Sequence, residues 1–295
     1  MATVSVLCTR VRMEEKQIIA ALATAGLPTL PLDPSRLPLP VGPVPPGPSA
    51  STADGVIVDR CQNRAVAVAV LAVLRPSGAT ILDAGIAASG DRLAVASTLA
   101  AAGVPRPHTQ LVCSEESALA ALHDVGYPAT LLLLTPGASE ILMLDHDVAE
   151  AILEHRGVLG AKHDVVMLVQ AGVPLAEERA TVLVVDGRAV GIVGAVRHAA
   201  YPARFAGIAE AAAAVLGASV AGVEVALTAA GPVVWDVHPA PDFRSAVPCG
   251  RLSVAEAIAA SVARALGEQP CFPAVRVEVE SAGRREVTDD VALTA

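Results

Sequence analysis

Short apolar runs that alternate with helical segments constrain the fold of this chain more than any other feature. The first such runs, too short and too β-branched for helices, predict strands at residues 4–7, 27–32, 55–58 and 80–82. Between them, residues 13–25 and 63–74 carry apolar side chains at helical spacing. Strand–helix–strand repeats form a parallel sheet, so residues 1–86 are predicted to be an α/β domain. A proline-rich connection at residues 33–51 lies inside it.

The same patterns predict two mixed units after residue 86, at residues 87–170 and 171–270. In the first unit, helices are predicted at residues 89–102, 114–125 and 147–155, and strands at 110–113, 129–134, 141–144 and 164–169. The second unit holds two hairpins, one of them turning at Asp186-Gly187, and helices at 205–216 and 254–266. Residues 271–295 are an extension, either an added strand or a tail without fixed structure. The predicted fold class is therefore α/β together with α+β.

Composition limits the kinds of partner. A net charge of −9 leaves no basic stripe for nucleic acid. No apolar run reaches the length of a membrane span, and the early charged residues do not form a signal peptide. The five cysteines are scattered, which is typical of reduced thiols, and we expect a cytoplasmic protein. Aromatic residues are only 2% of the chain, so Ala, Val and Leu must form its core.

The stretch of residues 222–239 combines strand pattern with ligand-type side chains. It reads as a hairpin that turns at residues 228–232, between two β-branched runs. Alternation places Asp236 and His238 on one face, and Glu224 lies within reach on the facing strand. Two carboxylates and an imidazole can hold a hard divalent cation. The alternative is an ordinary hairpin whose polar residues face water, and the stretch alone leaves both readings open.

Several motifs, taken in order, resemble those of ATP-grasp proteins. They are the run Arg10-Val-Arg-Met-Glu-Glu-Lys16, Arg60-Cys61 with Arg64, Gly90-Asp-Arg-Leu93, and Ala102-Gly-Val-Pro-Arg-Pro107. The resemblance covers residues 4–266 and is closest to the ligases that join glutamate or 2-aminoadipate to an amino-group carrier protein in lysine and arginine biosynthesis. That branch is related to the ribosomal-protein glutamate ligases. The resemblance implies an ATP-grasp fold, in which a Rossmann-like α/β domain precedes two lobes that hold ATP between them.

The resemblance also implies a reaction and its cofactors, ATP and Mg²⁺. In such ligases a carboxylate is phosphorylated, and an amine then attacks the acyl phosphate. The implied metal ligands are Glu224, Asp236 and His238, with His238 standing where the family usually has Asn. Imidazole nitrogen is a poor ligand for so hard an ion, so the two carboxylates carry this expectation.

The implied phosphate and adenine contacts depart from the family pattern. Arg92 replaces one lysine and keeps its charge, whereas Leu132 stands where a second lysine is expected. The loop at residues 135–140 has one glycine where the family is glycine-rich. Arg179 and Arg197 fit arginine positions near the phosphates. The linker that binds adenine corresponds to Gln170, Ala171 and Val173.

Substrate and partner contacts are implied at the N-terminal motif and at residues 243–250. The candidate substrate-binding residues are Arg10, Glu14, Arg60, Arg244 and Ser245, although the last two are equally consistent with a surface turn. The related ligases act on an acidic carrier protein and are usually dimers or tetramers. This chain is itself net acidic, so electrostatic attraction to an acidic carrier would need a local basic patch. The candidates for that patch are Arg10, Arg12, Arg60 and Arg64.

Two hypotheses about function follow from these residues. The first is an ATP-dependent carboxylate–amine ligase with altered phosphate contacts, supported by Arg92, Arg179, Arg197, Glu224 and Asp236. The second is a catalytically silent relative that acts as a binding or assembly protein, favoured by the leucines at 131–134 and by His238. Losing one group that stabilises charge in a transition state typically costs about 3 kcal/mol.

Overall fold

The computed structural model describes residues 4–36, 38–39, 41, 55–134, 140–159, 166–172, 179–194 and 201–267. Three sheets organise these residues. The predicted α/β and α+β class is confirmed. The extension at residues 271–295 lies outside the described residues. No helix in the described part of the chain is both long and apolar enough to cross a membrane.

The first sheet is parallel, with strand order β2-β1-β3-β4. Its strands are β1 (Val4–Leu7), β2 (Thr29–Leu32), β3 (Val56–Asp59) and β4 (Thr80–Leu82). The helices α1 (Met13–Thr24) and α2 (Arg64–Leu74) connect them as predicted. Parallel pairing follows from these crossovers, which return the chain to the same end of the sheet. A short 3₁₀ helix at Gly85–Ser89, absent from the prediction, leads into α3 (Arg92–Ala101).

The second sheet is antiparallel, with order β5-β8-β6-β7, and we call it, with its two helices, the central unit. It comprises β5 (Thr109–Val112), α4 (Glu115–Val125), β6 (Ala129–Leu133), β7 (Glu140–Met143), α5 (His146–Leu159) and β8 (Met167–Ala171). The prediction for β8 was wrong by about two residues, since the strand includes Gln170 and Ala171. Pairing with both β5 and β6 extends it over these residues.

The third sheet is also antiparallel, with order β12-β11-β9-β10-β13, and with its helices it forms the C-terminal unit. It comprises β9 (Arg179–Val185), β10 (Arg188–Gly194), α6 (Tyr201–Leu216), β11 (Val220–Thr228), β12 (Gly231–His238), β13 (Val247–Pro248) and α7 (Val254–Ala265). Both predicted hairpins form. The helix α6 begins four residues earlier than predicted, and the short strand β13 was missed.

The core explains how so few aromatic residues suffice. One buried cluster joins α1 and the first sheet to β9 and α7, through side chains such as Ile18, Leu183 and Ile258. Another packs α6 on the third sheet, where Ala209, Ala212 and Ala213 are completely buried. Small side chains let the helix approach the strands closely, so the core is filled without large aromatic side chains. The first and third sheets therefore share a core, while the central unit has its own.

Candidate functional site

The hairpin of β11 and β12 brings the three predicted ligand-type side chains together. Glu224 pairs directly with Asp236 in the strand register, and His238 pairs with Gly222. A bulge follows Glu224, and Glu224 Oε2 lies 3.0 Å from His238 Nε2. The Glu224 and Asp236 side chains are only 12% and 11% exposed. The predicted common wall of polar groups is therefore present at the end of this hairpin.

Arginines already neutralise both carboxylates. Arg92, the first residue of α3, places Nη2 3.2 Å from Asp236 Oδ2. Arg179, the first residue of β9, forms an ion pair with Glu224 and places Nη2 3.4 Å from Glu140 Oε2. Asp91 fixes the start of α3, since its side chain accepts hydrogen bonds from the N–H groups of residues 93 and 94.

These contacts shift the protonation of the pair Glu224 and His238. Burial by itself raises the pKa of Glu224, but the hydrogen bond and charge of His238, together with Arg179, outweigh it and lower that pKa. Burial likewise lowers the pKa of His238, yet the Glu224 hydrogen bond and the nearby carboxylates raise it overall. The pair therefore favours a carboxylate beside an imidazolium.

A cavity of about 420 Å³ opens in front of this wall, between the first and third sheets. Its lining includes polar side chains from three parts of the chain, namely Gln62, Arg64, Arg92, Asp236, His238 and Asp242. Gln62 is held there by a hydrogen bond from Nε2 to the carbonyl of Ala240 at 2.7 Å. The volume falls within the range of small-molecule sites. The cavity can therefore accept a ligand as small as an amino acid.

A second, much smaller cavity of about 10 Å³ lies between the central and C-terminal units. Arg92, Arg106, Trp235 and Asp236 line it, together with apolar side chains that include Leu132 and Leu168. Leu132 is 3% exposed and packs with Leu168 and Ala96. An apolar cluster thus occupies the position where the family resemblance implies a lysine.

The residues present suit a ligand rich in hydrogen-bond acceptors better than they suit a metal ion. Gln170 Nε2 and Arg106 Nε are buried donors without a partner among the described residues, and both lie at or beside this second cavity. A ligand rich in hydrogen-bond acceptors would satisfy them. By contrast, no group of three or more His, Cys, Asp or Glu in the described ranges is arranged to hold a metal. With both carboxylates bound to arginines, the site as arranged does not fit Mg²⁺.

The structure disperses the residues that were expected to bind substrate. Arg60 is fully buried, with Nε 3.2 Å from Glu15 Oε1 and its guanidinium 5.3 Å from the Phe243 ring centre. Glu14 is buried in α1, whereas Arg10 is exposed. Arg244 and Ser245 are exposed in the turn before β13. None of these five side chains lines the 420 Å³ cavity.

The predicted basic patch is wrong for two of its members. Arg64 is buried, with Nη2 2.7 Å from Asp59 Oδ2, and Arg60 is buried against Glu15. Arg12 bonds to Glu15 and Asp242. These arginines hold the first domain together and fix it to the segment after β12. Of the four, only Arg10 forms no ion pair with another described residue.

Other expected positions divide between the cavity and the residues outside the description. Gln170 is buried on β8, and Ala171 ends that strand. Val173 and Arg197 lie outside the described residues. Three residues at the site, Arg106, Glu140 and Trp235, were missed as candidates. Trp235 is buried like its neighbour Val234, and the strand register shifts at this point, so alternation does not single it out. That it is the chain's single tryptophan was the only available signal.

Comparison with solved structures places this geometry in a known context. A RimK-domain ATP-grasp protein from Sphaerobacter thermophilus is 32% identical over 88% of this chain and 99% of that protein, with a TM-score of 0.73. The ATP-grasp ligase PsnB, solved with a minimal precursor, Mg and ADP, is 15% identical over 90% of this chain and 98% of its own, with a TM-score of 0.63. The macrocyclase MdnB from Microcystis aeruginosa is 19% identical over 88% and 99%, with a TM-score of 0.60. No family model matches the sequence.

Proposed function

Because this chain belongs to the ATP-grasp superfamily, which includes RimK-related proteins, we propose that it is an ATP-dependent carboxylate–amine ligase. One observation carries the proposal: Arg92 and Asp236 form an ion pair at the wall of a 420 Å³ cavity, and the ion pair of Arg179 with Glu224 lies next to it, since Glu224 faces Asp236 in the strand register. Arginines at the edge of a partly buried cavity are suited to charge that develops on a phosphoryl group.

In the proposed reaction the substrate carboxylate accepts the terminal phosphoryl group, and ADP leaves. The amine nitrogen of the second substrate then attacks the acyl carbon. The carbon–oxygen bond to phosphate breaks, and the departing phosphate takes up the proton that the amine loses. Arg92 and Arg179 stabilise the negative charge on the phosphoryl oxygens in both steps. Since each arginine is bound to a carboxylate in the structure, binding requires an exchange of partners.

We propose an amino acid and an acidic carrier protein or peptide as the two substrates. Glutamate or 2-aminoadipate, joined to the C-terminal Glu of an amino-group carrier protein of lysine or arginine biosynthesis, fits the resemblance of the N-terminal motifs. The size and polar lining of the 420 Å³ cavity support a small substrate. PsnB, which shares the fold, is solved with its precursor peptide, and this supports a peptide-like second substrate. A cytoplasmic dimer or tetramer is part of the same proposal.

A second candidate function rests on the apolar cluster in the nucleotide cleft. Leu132 packs against Leu168 and Ala96 where a lysine would contact phosphate in the family. This apolar cluster supports the hypothesis that the protein has no catalytic activity and instead binds or assembles with other proteins. The two candidates differ in whether nucleotide is consumed.

The test is ADP formation by the full chain with ATP, glutamate or 2-aminoadipate, and a peptide that ends in Glu, with and without Mg²⁺. We expect ADP release that requires both the amino acid and the peptide. The rate should be about a hundredfold lower for Arg92→Gln. Arg188→Gln removes an exposed positive charge from β10 and should leave the rate unchanged. ATP binding without ADP release would favour the second candidate.

A further inference from the structure

Arg106 lies in the segment between α3 and β5, where the central unit meets the C-terminal unit. Its neighbour Pro105 accepts a hydrogen bond from the N–H of Val234 on β12 at 2.8 Å. The backbone beside Arg106 is therefore fixed against the hairpin that carries the site. Its side chain lines the 10 Å³ cavity with Arg92, Leu132 and Asp236.

The guanidinium of Arg106 is partly buried and has few partners among the described residues. Its Nη2 donates to Gln170 Oε1 at 3.3 Å, and its buried Nε has no partner among the described residues. Gln170 is completely buried, and its own Nε2 is also unpartnered in the described structure. Unpaired buried donors are costly, and a buried positive charge is more so. Two adjacent donor groups therefore point to an acceptor that the described residues do not supply.

No carboxylate of the described residues forms an ion pair with Arg106. Asp236 is the one carboxylate whose charge acts on it, but Asp236 Oδ2 lies 3.2 Å from Arg92 Nη2. Burial lowers the pKa of Arg106, and the Asp236 charge opposes that effect only in part. Glu140 and Glu224 are bound to Arg179. Within the described cleft the carboxylate whose charge acts on Arg106 is thus paired with a different arginine, Arg92.

We infer that Arg106, with the Gln170 amide beside it, binds the phosphate chain of the nucleotide in this cleft. The inference rests on the proposed function, which supplies the nucleotide, and it gives a role to Arg106, a residue of the motif at 102–107 to which the resemblance assigns no contact. An arginine suits this role because its fork of donors matches phosphate oxygens. It faces the same cavity as Leu132, so the cleft keeps a positive charge although β6 offers none.

The small volume of the cavity gives the test its readout. A phosphate group cannot enter about 10 Å³ unless the cavity widens, and Trp235 forms part of its wall. Trp235 is the only tryptophan of the chain and is 4% exposed. Its fluorescence therefore reports any ligand that separates the two units at this point.

The experiment titrates ATP and adenosine into the full chain, following Trp235 emission, with calorimetry as a second measure. Arg106→Gln should weaken ATP binding about tenfold or more, because a charge-assisted hydrogen bond is lost. Adenosine affinity should not change, since adenosine carries no phosphate. Arg106→Lys keeps the charge and should lose less affinity for ATP than Arg106→Gln. Arg188→Gln, which removes an exposed arginine, should bind both ligands as the wild type does.

Gln170→Glu gives an independent test that does not depend on removing Arg106. A carboxylate at this position would supply the missing counterion, so the melting temperature should rise while ATP affinity falls. Equal ATP affinity in wild type and Arg106→Gln would overturn the inference and leave the proposed function standing. An equal loss of adenosine affinity would overturn it too, because Arg106 would then contact the base. Absence of ATP binding to the wild type would overturn both proposals.

Discussion

Glu224 is the residue on which the charges of the site converge. It receives Arg179 on one oxygen and His238 on the other, while Asp236 pairs with it in the strand register. A partly buried carboxylate with two cationic neighbours remains ionised, which explains the lowered pKa of Glu224. Its two partners differ in one respect, because arginine keeps its charge at all accessible pH values and histidine does not.

His238→Asn should therefore destabilise the protein in a pH-dependent way. The Glu224 hydrogen bond and the nearby carboxylates raise the pKa of His238 despite its partial burial, so protonation is favoured in the folded state. This contribution to stability is complete below the unfolded pKa of about 6.5 and is lost as pH rises through the higher folded pKa. The side chain is 41% exposed, so the contribution should stay below about 1 kcal/mol.

Urea unfolding at about pH 6 and about pH 9 measures this difference. The free energy of unfolding lost by His238→Asn should be larger at the lower pH. His108→Asn, which changes an exposed histidine, is the control and should show no such dependence. A loss of equal size at both pH values would mean that the charge of His238 does not contribute.

The hairpin of β11 and β12 is the element that positions the site. Gly222 determines how closely the segment that contains Pro241 can pack against this hairpin. A Cβ on Gly222 would lie 2.5 Å from Pro241 Cβ and 3.1 Å from Thr181 Cγ2. Pro241 cannot move freely, because its carbonyl accepts a hydrogen bond from the buried Arg60 at 2.8 Å. Glycine at 222 therefore lets the segment that lines the 420 Å³ cavity lie against the strand.

Gly222→Ala should lower the free energy of unfolding by about 1–3 kcal/mol, because the overlap must displace a fixed segment. Gly207→Ala, on α6, is the matched control: no atom lies within 4 Å of the added carbon. It should stabilise the protein by about 0.5–1 kcal/mol through helix propensity. Urea unfolding measures both changes. If Gly222→Ala had the same free energy of unfolding as the wild type, the segment that contains Pro241 would be able to move away from the added carbon.

The elements show which features the sequence can predict. The two hairpins could be predicted because alternation and turn residues are local signals, and antiparallel pairing then places Glu224 opposite Asp236. Arg60 and Arg64 could not be assigned to the interior from local pattern, since their partners Glu15, Pro241 and Ala88 lie far away in the chain or on another element. Arg106 belongs to the motif at residues 102–107, but the motif assigns it no contact, and only the packing of α3, β8 and β12 gives it a role. The end of β8 was misplaced because Gln170, a polar residue, is buried by pairing on both sides.

At the scale of the whole molecule, Glu140 links the central unit to the C-terminal unit. Its Oε2 lies 3.4 Å from Arg179 Nη2, and its Oε1 accepts a hydrogen bond from Trp235 Nε1 at 3.3 Å. The Arg179 guanidinium also lies 5.6 Å from the Trp235 ring centre. These three side chains close the cleft on the side of β7. Because the proposed nucleotide must enter between the units, this contact has to open during binding.

Glu140→Ala should shift the two units toward an open arrangement. The variant loses the ion pair to Arg179 and leaves Trp235 Nε1 without its acceptor, while the cores of the units stay intact. Trp235 emission should move to longer wavelength, and acrylamide should quench it more strongly, without change in helix content. Glu150→Ala removes a charge from an exposed position on α5 and should leave the emission unchanged.

Both partners of the Arg179–Glu140 ion pair are about one quarter exposed. The effect of Glu140→Ala on the equilibrium between closed and open arrangements should therefore be about 1 kcal/mol, or roughly fivefold. An unchanged emission would mean that apolar packing around Leu132 and Trp235, and not this ion pair, holds the cleft closed.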